Sequence, residues 1–254
     1  MIRQIFFLFS LFIGTYLIAE VLPTAHNSLL FKVDFDDNCD ATIAVGNDKP
    51  HQIRGKATFL PGLTGKAILS GKNNACITYE CNGNINFDNP GSIVMFFKAN
   101  SNWHKTTQPG ITLWGLGNNK GLIALRISRN PQSSCPCRRT FELLLLDIKG
   151  RKNKVYSLQM PALSRICKNF HMISIAWAGD NLYMSCDGQN YRVHKQVRPL
   201  TNADFAHCKR FAIGNVTSSF LIDDFRIYGK KLSDDELALI WEKNKANAKQ
   251  KETK

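Results

Sequence analysis

The sequence predicts an all-β fold, an antiparallel two-sheet sandwich or barrel finished by one short C-terminal helix, on three observations. Short apolar, β-prone segments recur along the chain with Gly, Asn and Pro between them, which is the punctuation of hairpins rather than of alternating βαβ units. One segment, residues 92–98, runs Ile93, Val94, Met95, Phe96 and Phe97 in succession, so it is apolar on both faces, as a central strand covered by two layers must be. Only one helix start is legible: Ser233 with Glu236 forms a capping box, and Leu232 and Leu237 occupy the staple positions around it.

Taken in order, the chain opens with MIRQ, an apolar run from Ile5 to Ala19 and a polar shift at Glu20, the pattern of a secretory signal peptide over residues 1–19. The run is shorter than the ~20 apolar residues of a spanning helix, so no stable membrane span is expected, with an uncleaved anchor as the alternative. Strands are predicted over 28–35, 57–60, 67–69, 75–79, 92–98, 111–116, 122–128, 140–147, 154–160, 170–177, 182–186 and 191–194, each bounded by turn residues. Gly179-Asp180-Asn181 and Asp187-Gly188 are hairpin signals. Two more strands flank the turn at Asn215-Val216-Thr217. In the last one Leu221, Phe225 and Ile227 are expected on one face and Ile222, Asp224 and Arg226 on the other, with Asp223 as an interruption. Residues 28–242 are read as one sandwich, because sandwiches of about 200 to 250 residues fold as single units. Residues 243–254, rich in lysine, are read as a basic disordered tail.

In a chain with an export signal, the even set Cys39, Cys76, Cys81, Cys135, Cys137, Cys167, Cys186 and Cys208 implies disulfides, with a connectivity that spacing does not reveal. Zinc fits poorly, because four residues separate Cys76 from Cys81, one separates Cys135 from Cys137 and no paired His spacing accompanies them, and the absence of Cys-x-x-Cys argues against a thioredoxin-like redox role. Part of the formal charge of +13 is the tail. The rest, Arg138, Arg139, Lys149, Arg151, Lys152, Lys154, Arg192, Lys195, Arg198, Lys209 and Arg210, is spread through the middle and late chain and suits an acidic polysaccharide or anionic cell surface better than nucleic acid, with ordinary solvated loops as the alternative.

Four stretches resemble the laminin-G-like branch of the concanavalin A-like jelly rolls: LFKVDFDD at 30–37, GLTGKAIL at 62–69, NFHMISIAWAGDNLYMSCDG at 169–188, and 213–241. The third is the most specific, with Phe170, His171, an alternating strand to Trp177, the turn at Gly179 and a strand ending in Asp187-Gly188. Ala178 and Cys186 depart from that pattern, and the Cys135-Pro136-Cys137 loop is unlike it. The resemblance implies a jelly-roll sandwich of a secreted binding protein. It also implies that the first strand lies beside the last, and many sandwiches of this family hold a calcium ion.

Candidate sites follow. A calcium ion is expected between Asp36 or Asp37 and Asp223 or Asp224, against the alternative that these carboxylates cap turns or pair with Arg226 and nearby lysines. Asp34, Asp36, Asn38 and Asp40 are not an EF-hand, since Cys39 and Val45 stand where that loop needs Gly and Glu. Carbohydrate is expected on aromatic and cationic side chains, Trp103, His104, Lys105, Trp114, Arg138 and Arg139, with core packing as the alternative for the tryptophans. Trp177 and Trp241 are assigned to the core. His171 is read as a satisfied strand histidine. The Glu-x-Asp-x-x-Glu string of jelly-roll glycosidases is missing, and no Gly-x-Ser-x-Gly elbow occurs. Asn215 lies in a glycosylation sequon. Together these predict a secreted or periplasmic, non-catalytic adhesion module for anionic glycan or a glycosylated surface. A structural or protein-interaction domain of the extracellular space is the first alternative, a polysaccharide hydrolase or lyase the second.

Overall fold

The computed structural model describes residues 28–99, 110–118, 120–129, 139–159, 169–217 and 219–252. Its strands are β1 Leu29–Val33, β2 Ile43–Ala44, β3 Gln52–Arg54, β4 Phe59–Pro61, β5 Lys66–Ser70, β6 Cys76–Glu80, β7 Gly91–Ala99, β8 Gly110–Asn118, β9 Gly121–Arg129, β10 Arg139–Leu146, β11 Lys154–Gln159, β12 His171–Ala178, β13 Asn181–Cys186, β14 Arg192–Lys195, β15 Arg210–Ile213 and β16 Phe220–Tyr228. They form a nine-stranded sheet, ordered β14-β13-β12-β7-β16-β1-β2 with β5 and β4 branching from β16, and a seven-stranded sheet, ordered β11-β10-β9-β8-β15-β6-β3. Every named pairing is antiparallel, and the two sheets make the predicted sandwich. The two- and three-residue strands β2 and β3 escape sequence prediction because they are too short to show a period.

Aromatic rings lock the sheets face to face. Phe97 of β7 meets Phe141 of β10 edge-on at 5.4 Å, and Phe31 of β1 meets Tyr79 of β6 at 4.9 Å. Strand β7 is buried on both sides as expected: Ile93, Met95 and Phe97 enter the inter-sheet core, while Val94 and Phe96 enter a second cluster under the C-terminal helix. That helix, α1, spans Asp234–Glu252, past the boundary predicted at 242. Its capping box is formed: Glu236 N–H donates to Ser233 Oγ at 3.1 Å and Ser233 N–H to Glu236 Oε2 at 2.9 Å. Leu232 and Leu237 are buried around it. Trp177 is core, whereas Trp241 is half-buried against the second cluster.

The predicted phase of the last strand is wrong in its first half. Phe220 and Ile222 point into the core, as do Phe225 and Ile227, so the inward face changes from even to odd positions. The cause is a register shift between Asp223 and Arg226, with Asp224 at φ 49°, which inserts one residue into the ladder with β7. On the other side, β16 pairs with β5 through Phe220–Ile222 and with β1 through Phe225–Tyr228, so the sheet forks at Asp223 and Asp224.

Candidate functional site

The fork collects carboxylates, and the structure separates them. Asp224 forms a two-pronged ion pair with Arg226, Nε lying 2.7 Å from Oδ1 and Nη2 bonding Oδ2. Asp37 is exposed and pairs with Lys66 Nζ at 2.5 Å. These two of the four predicted ligands therefore already have cationic partners. Asp36 and Asp223 face the turn between β4 and β5. Asp36 Oδ1 accepts the Lys66 N–H at 2.8 Å, and Asp223 Oδ2 accepts those of Leu63 and Thr64 at 2.7 and 3.1 Å. A Cβ on Gly65, at φ +76°, would lie 1.7 Å from Asp36 Oδ1, so this turn requires glycine to approach.

Asp223 is 1% exposed, and its Oδ1 has no hydrogen-bond partner among the described residues. Burial pushes its pKa up to about 8; Asp224 and Asp36 add to the rise, and the Thr64 and Leu63 N–H groups oppose it. A buried, half-satisfied carboxylate beside a second carboxylate takes either a proton or a cation. Oxygen donors of this kind fit a hard ion such as calcium, which Asp36 and Asp223 would bind.

The sugar-site predictions fare differently. Trp103, His104, Lys105 and Arg138 lie outside the described residues, as does the side chain of Arg139 at the start of β10. Trp114 is fully buried in the inter-sheet core, so it is not a stacking platform. It sits on β8 between β9 and β15, where an inward side chain meets the other sheet.

A cationic site that the sequence left scattered forms where β11 and β14, the edge strands of the two sheets, come together. Tyr156 of β11 and His194 of β14 bring their rings to 4.9 Å across the mouth of the sandwich. A cavity of about 180 Å³ opens there, with Arg151, Lys152, Lys154, Tyr156, Lys195 and Gln196 in its wall. Among the described residues two side-chain nitrogens of this wall are buried without a partner, Arg151 Nε and Gln196 Nε2, as is His194 Nε2 behind Tyr156. Arg151 is fixed from behind, since its Nη2 bonds Pro199 O and lies 3.4 Å from Asp204 Oδ2. Asp204 also receives both Arg198 nitrogens, at 2.5 and 3.0 Å, and closes its own capping box through the Thr201 N–H. One buried carboxylate thus serves two guanidinium groups. Burial lowers the Arg151 pKa, followed by Arg198, with Asp204 opposing; burial lowers that of His194 too, followed by Arg192. Each of these shifts means that the cationic form lacks solvation that an anion would replace.

Other expected features have local partners. His171 Nδ1 and Asp187 Oδ2 share a hydrogen bond of 2.7 Å, and Asp187 Oδ1 accepts the Met172 N–H at 2.9 Å. With Cys186 they form a His, Cys and Asp group whose ligand atoms lie within 4.8 Å. Burial, then Asp187, raises the Cys186 thiol well above its usual range, and the two Asp187 hydrogen bonds tie the end of β13 to β12. The expected disulfides are not formed among the described residues: Cys39, Cys76, Cys81, Cys186 and Cys208 are free thiols in this structure, and Cys135, Cys137 and Cys167 lie outside the described residues. Glu142 pairs with Arg126 at 2.6 Å along the β9–β10 ladder. The Asn215 amide that a glycan would modify donates to Thr112 O at 3.2 Å.

No known protein family matches the sequence, and no curated protein resembles it at sequence level. Solved structures do resemble the fold. A botulinum neurotoxin serotype D binding domain superposes with a TM-score of 0.65 at 13% identity over 88% of this chain and 52% of that one. The serotype D ligand-binding domain in complex with N-acetylneuraminic acid gives 0.64 at 13% identity, covering 88% and 52%. The binding domain of serotype DC in complex with rat synaptotagmin II gives 0.61 at 15%, covering 87% and 52%. The chain spans about half the length of these structures. At such identities the likeness is one of fold, a jelly-roll-like β-sandwich.

Proposed function

We propose that this chain is a secreted, or periplasmic, non-catalytic binding module of the laminin-G-like, concanavalin A-like type, which takes acidic carbohydrate on a glycosylated surface. The observation that carries the proposal is the mouth between β11 and β14, where cationic side chains and unpartnered buried donors surround one cavity. A sulfate or sugar carboxylate there gives Arg151 and Gln196 the acceptor that their buried nitrogens lack, and Lys152, Lys154 and Lys195 surround it with positive charge. The fold agrees, since a neurotoxin domain of the same architecture is solved with N-acetylneuraminic acid, itself an acidic sugar. A calcium ion on Asp36 and Asp223 is the proposed cofactor, with a structural role at the fork. A protein partner is the second reading, favoured by the neurotoxin domain bound to synaptotagmin II.

A glycan array probed with the full chain at low and physiological salt tests the site. Acidic glycans should be retained, more weakly at higher salt, and Lys152→Glu with Lys154→Glu should weaken retention by roughly tenfold or more. Equal retention of neutral glycans, or an unaltered double variant, overturns the acidic-sugar reading. Binding to a protein partner that survives glycan removal supports the second reading instead.

A further inference from the structure

A larger cavity, of about 520 Å³, opens at another margin of the inter-sheet core, between Leu30 of β1, the turn after β6 and the 3-10 helix Asn202–Phe205. Leu30, Ile85, Phe87, Leu116 and Phe205 give it an apolar floor, and Asn82, Asn86 and Asn202 its amide rim. Two cysteines share its wall, Cys81 and Cys208, both half-buried against the inter-sheet core. They come together through the β6–β15 ladder. Arg210 stands opposite Glu80, and the ladder continues one step further as the Cys81 N–H donates to Lys209 O at 2.8 Å. Cys208 is the next residue, turned back by its N–H to Phe205 O at 2.8 Å, so it lines the same cavity as Cys81.

We infer that Cys81 and Cys208 close into a disulfide across this cavity wall, tying β6 to the segment that leads from the 3-10 helix into β15. Cys81 stands opposite Lys209, one step from Cys208, and the turn back at Cys208 brings both residues to the wall of one cavity, where an oxidised pair takes a Cα separation of roughly 4.4 to 6.8 Å. The other described cysteines lie elsewhere: Cys39 O receives the buried Tyr79 hydroxyl, Cys76 Sγ lies 3.9 Å from Gly214 O, and Cys186 adjoins His171. The inference is independent of the glycan site.

The chemistry is thiol–disulfide exchange with a small disulfide such as oxidised glutathione. Cys208 attacks first. Burial raises its pKa but an N–H from Asn118 opposes the rise, whereas burial, then Cys208 and Glu80, push the Cys81 thiol up to about 12. Cys208 gives its proton to water, and its thiolate attacks one sulfur of the small disulfide, releasing one thiolate that takes up a proton. Cys81 then loses its proton and displaces the second thiol from the mixed disulfide. Two protein thiols are oxidised, and one small disulfide is reduced to two thiols.

The test is peptide mapping of the full chain after incubation with oxidised glutathione, alkylation of remaining thiols and proteolysis without reductant. The expected result is a cross-linked pair of peptides carrying Cys81 and Cys208, lighter by two hydrogens than the separate peptides, with neither cysteine alkylated. Alkylation of both, or either one joined to another cysteine, overturns the assignment. As a second measurement, Cys81→Ser should leave Cys208 alkylated or carrying glutathione after the same treatment. The mapping of the unaltered chain decides the matter even where that variant fails to fold.

Discussion

Asp223 has one carboxylate oxygen that accepts two backbone N–H groups and another that accepts none. With its pKa raised to about 8 by burial, the carboxyl is largely protonated at neutral pH unless a cation compensates its charge. This separates the proposed calcium from an ordinary turn cap by measurement. Adding calcium to chelator-treated protein should raise the melting temperature, and Asp223→Asn should abolish that increment. A melting curve indifferent to both chelator and calcium would remove the ion from the account. Sequence placed Asp36, Asp37, Asp223 and Asp224 together because the first and last strands of such sandwiches are neighbours. It did not reveal which two would be claimed by Arg226 and Lys66, since that depends on where each carboxylate points after the bulge. The stacking role expected of Trp114 failed for a related reason. Whether Trp114 faces core or solvent is set by the opposing sheet, and a β-strand's own alternation leaves the choice of face open.

At the scale of elements, the bulge in β16 decides both the core and the fork. Period-two alternation read through residues 220–228 without an inserted residue puts Leu221 inward and Ile222 outward, and the structure has the reverse. The two isomeric side chains therefore make a direct comparison. Ile222→Ala removes a fully buried side chain and should cost about 2–5 kcal/mol in denaturant unfolding, whereas Leu221→Ala should cost well under half as much. Equal losses would show that the strand keeps a single phase. The capped helix was legible because its signals are local: Ser233 and Glu236 lie within one turn, and Leu232 and Leu237 flank them. The bulge was not legible, because it exists only in relation to β7, β5 and β1.

For the molecule as a whole, a net charge of +13 is informative only once the sandwich has sorted it. Arg151, Lys152 and Lys154 precede or begin β11, and Lys195 ends β14; these segments lie far apart in sequence and meet because both strands are edges on the same side of the fold. His194 makes that convergence testable through pH. Burial, followed by Arg192, holds its folded-state pKa below the usual 6.5, so the unfolded chain takes up the proton first as pH falls. The stability contributed by neutral His194 is thus present above about pH 6.5 and is lost as pH drops through the folded-state value. His194 packs on Tyr156 of the cavity wall, so an acidic ligand in that cavity stabilises the imidazolium and raises that value, and binding draws in a proton. Affinity for an acidic glycan should therefore strengthen as pH falls below about 6.5, while the free protein loses stability over the same window. His194→Gln should flatten both dependences and leave the salt dependence set by Lys152 and Lys154. Calorimetric titration in two buffers of different ionisation enthalpy reads the proton uptake directly, and its absence in the unaltered chain would place the acidic ligand away from the β11–β14 mouth.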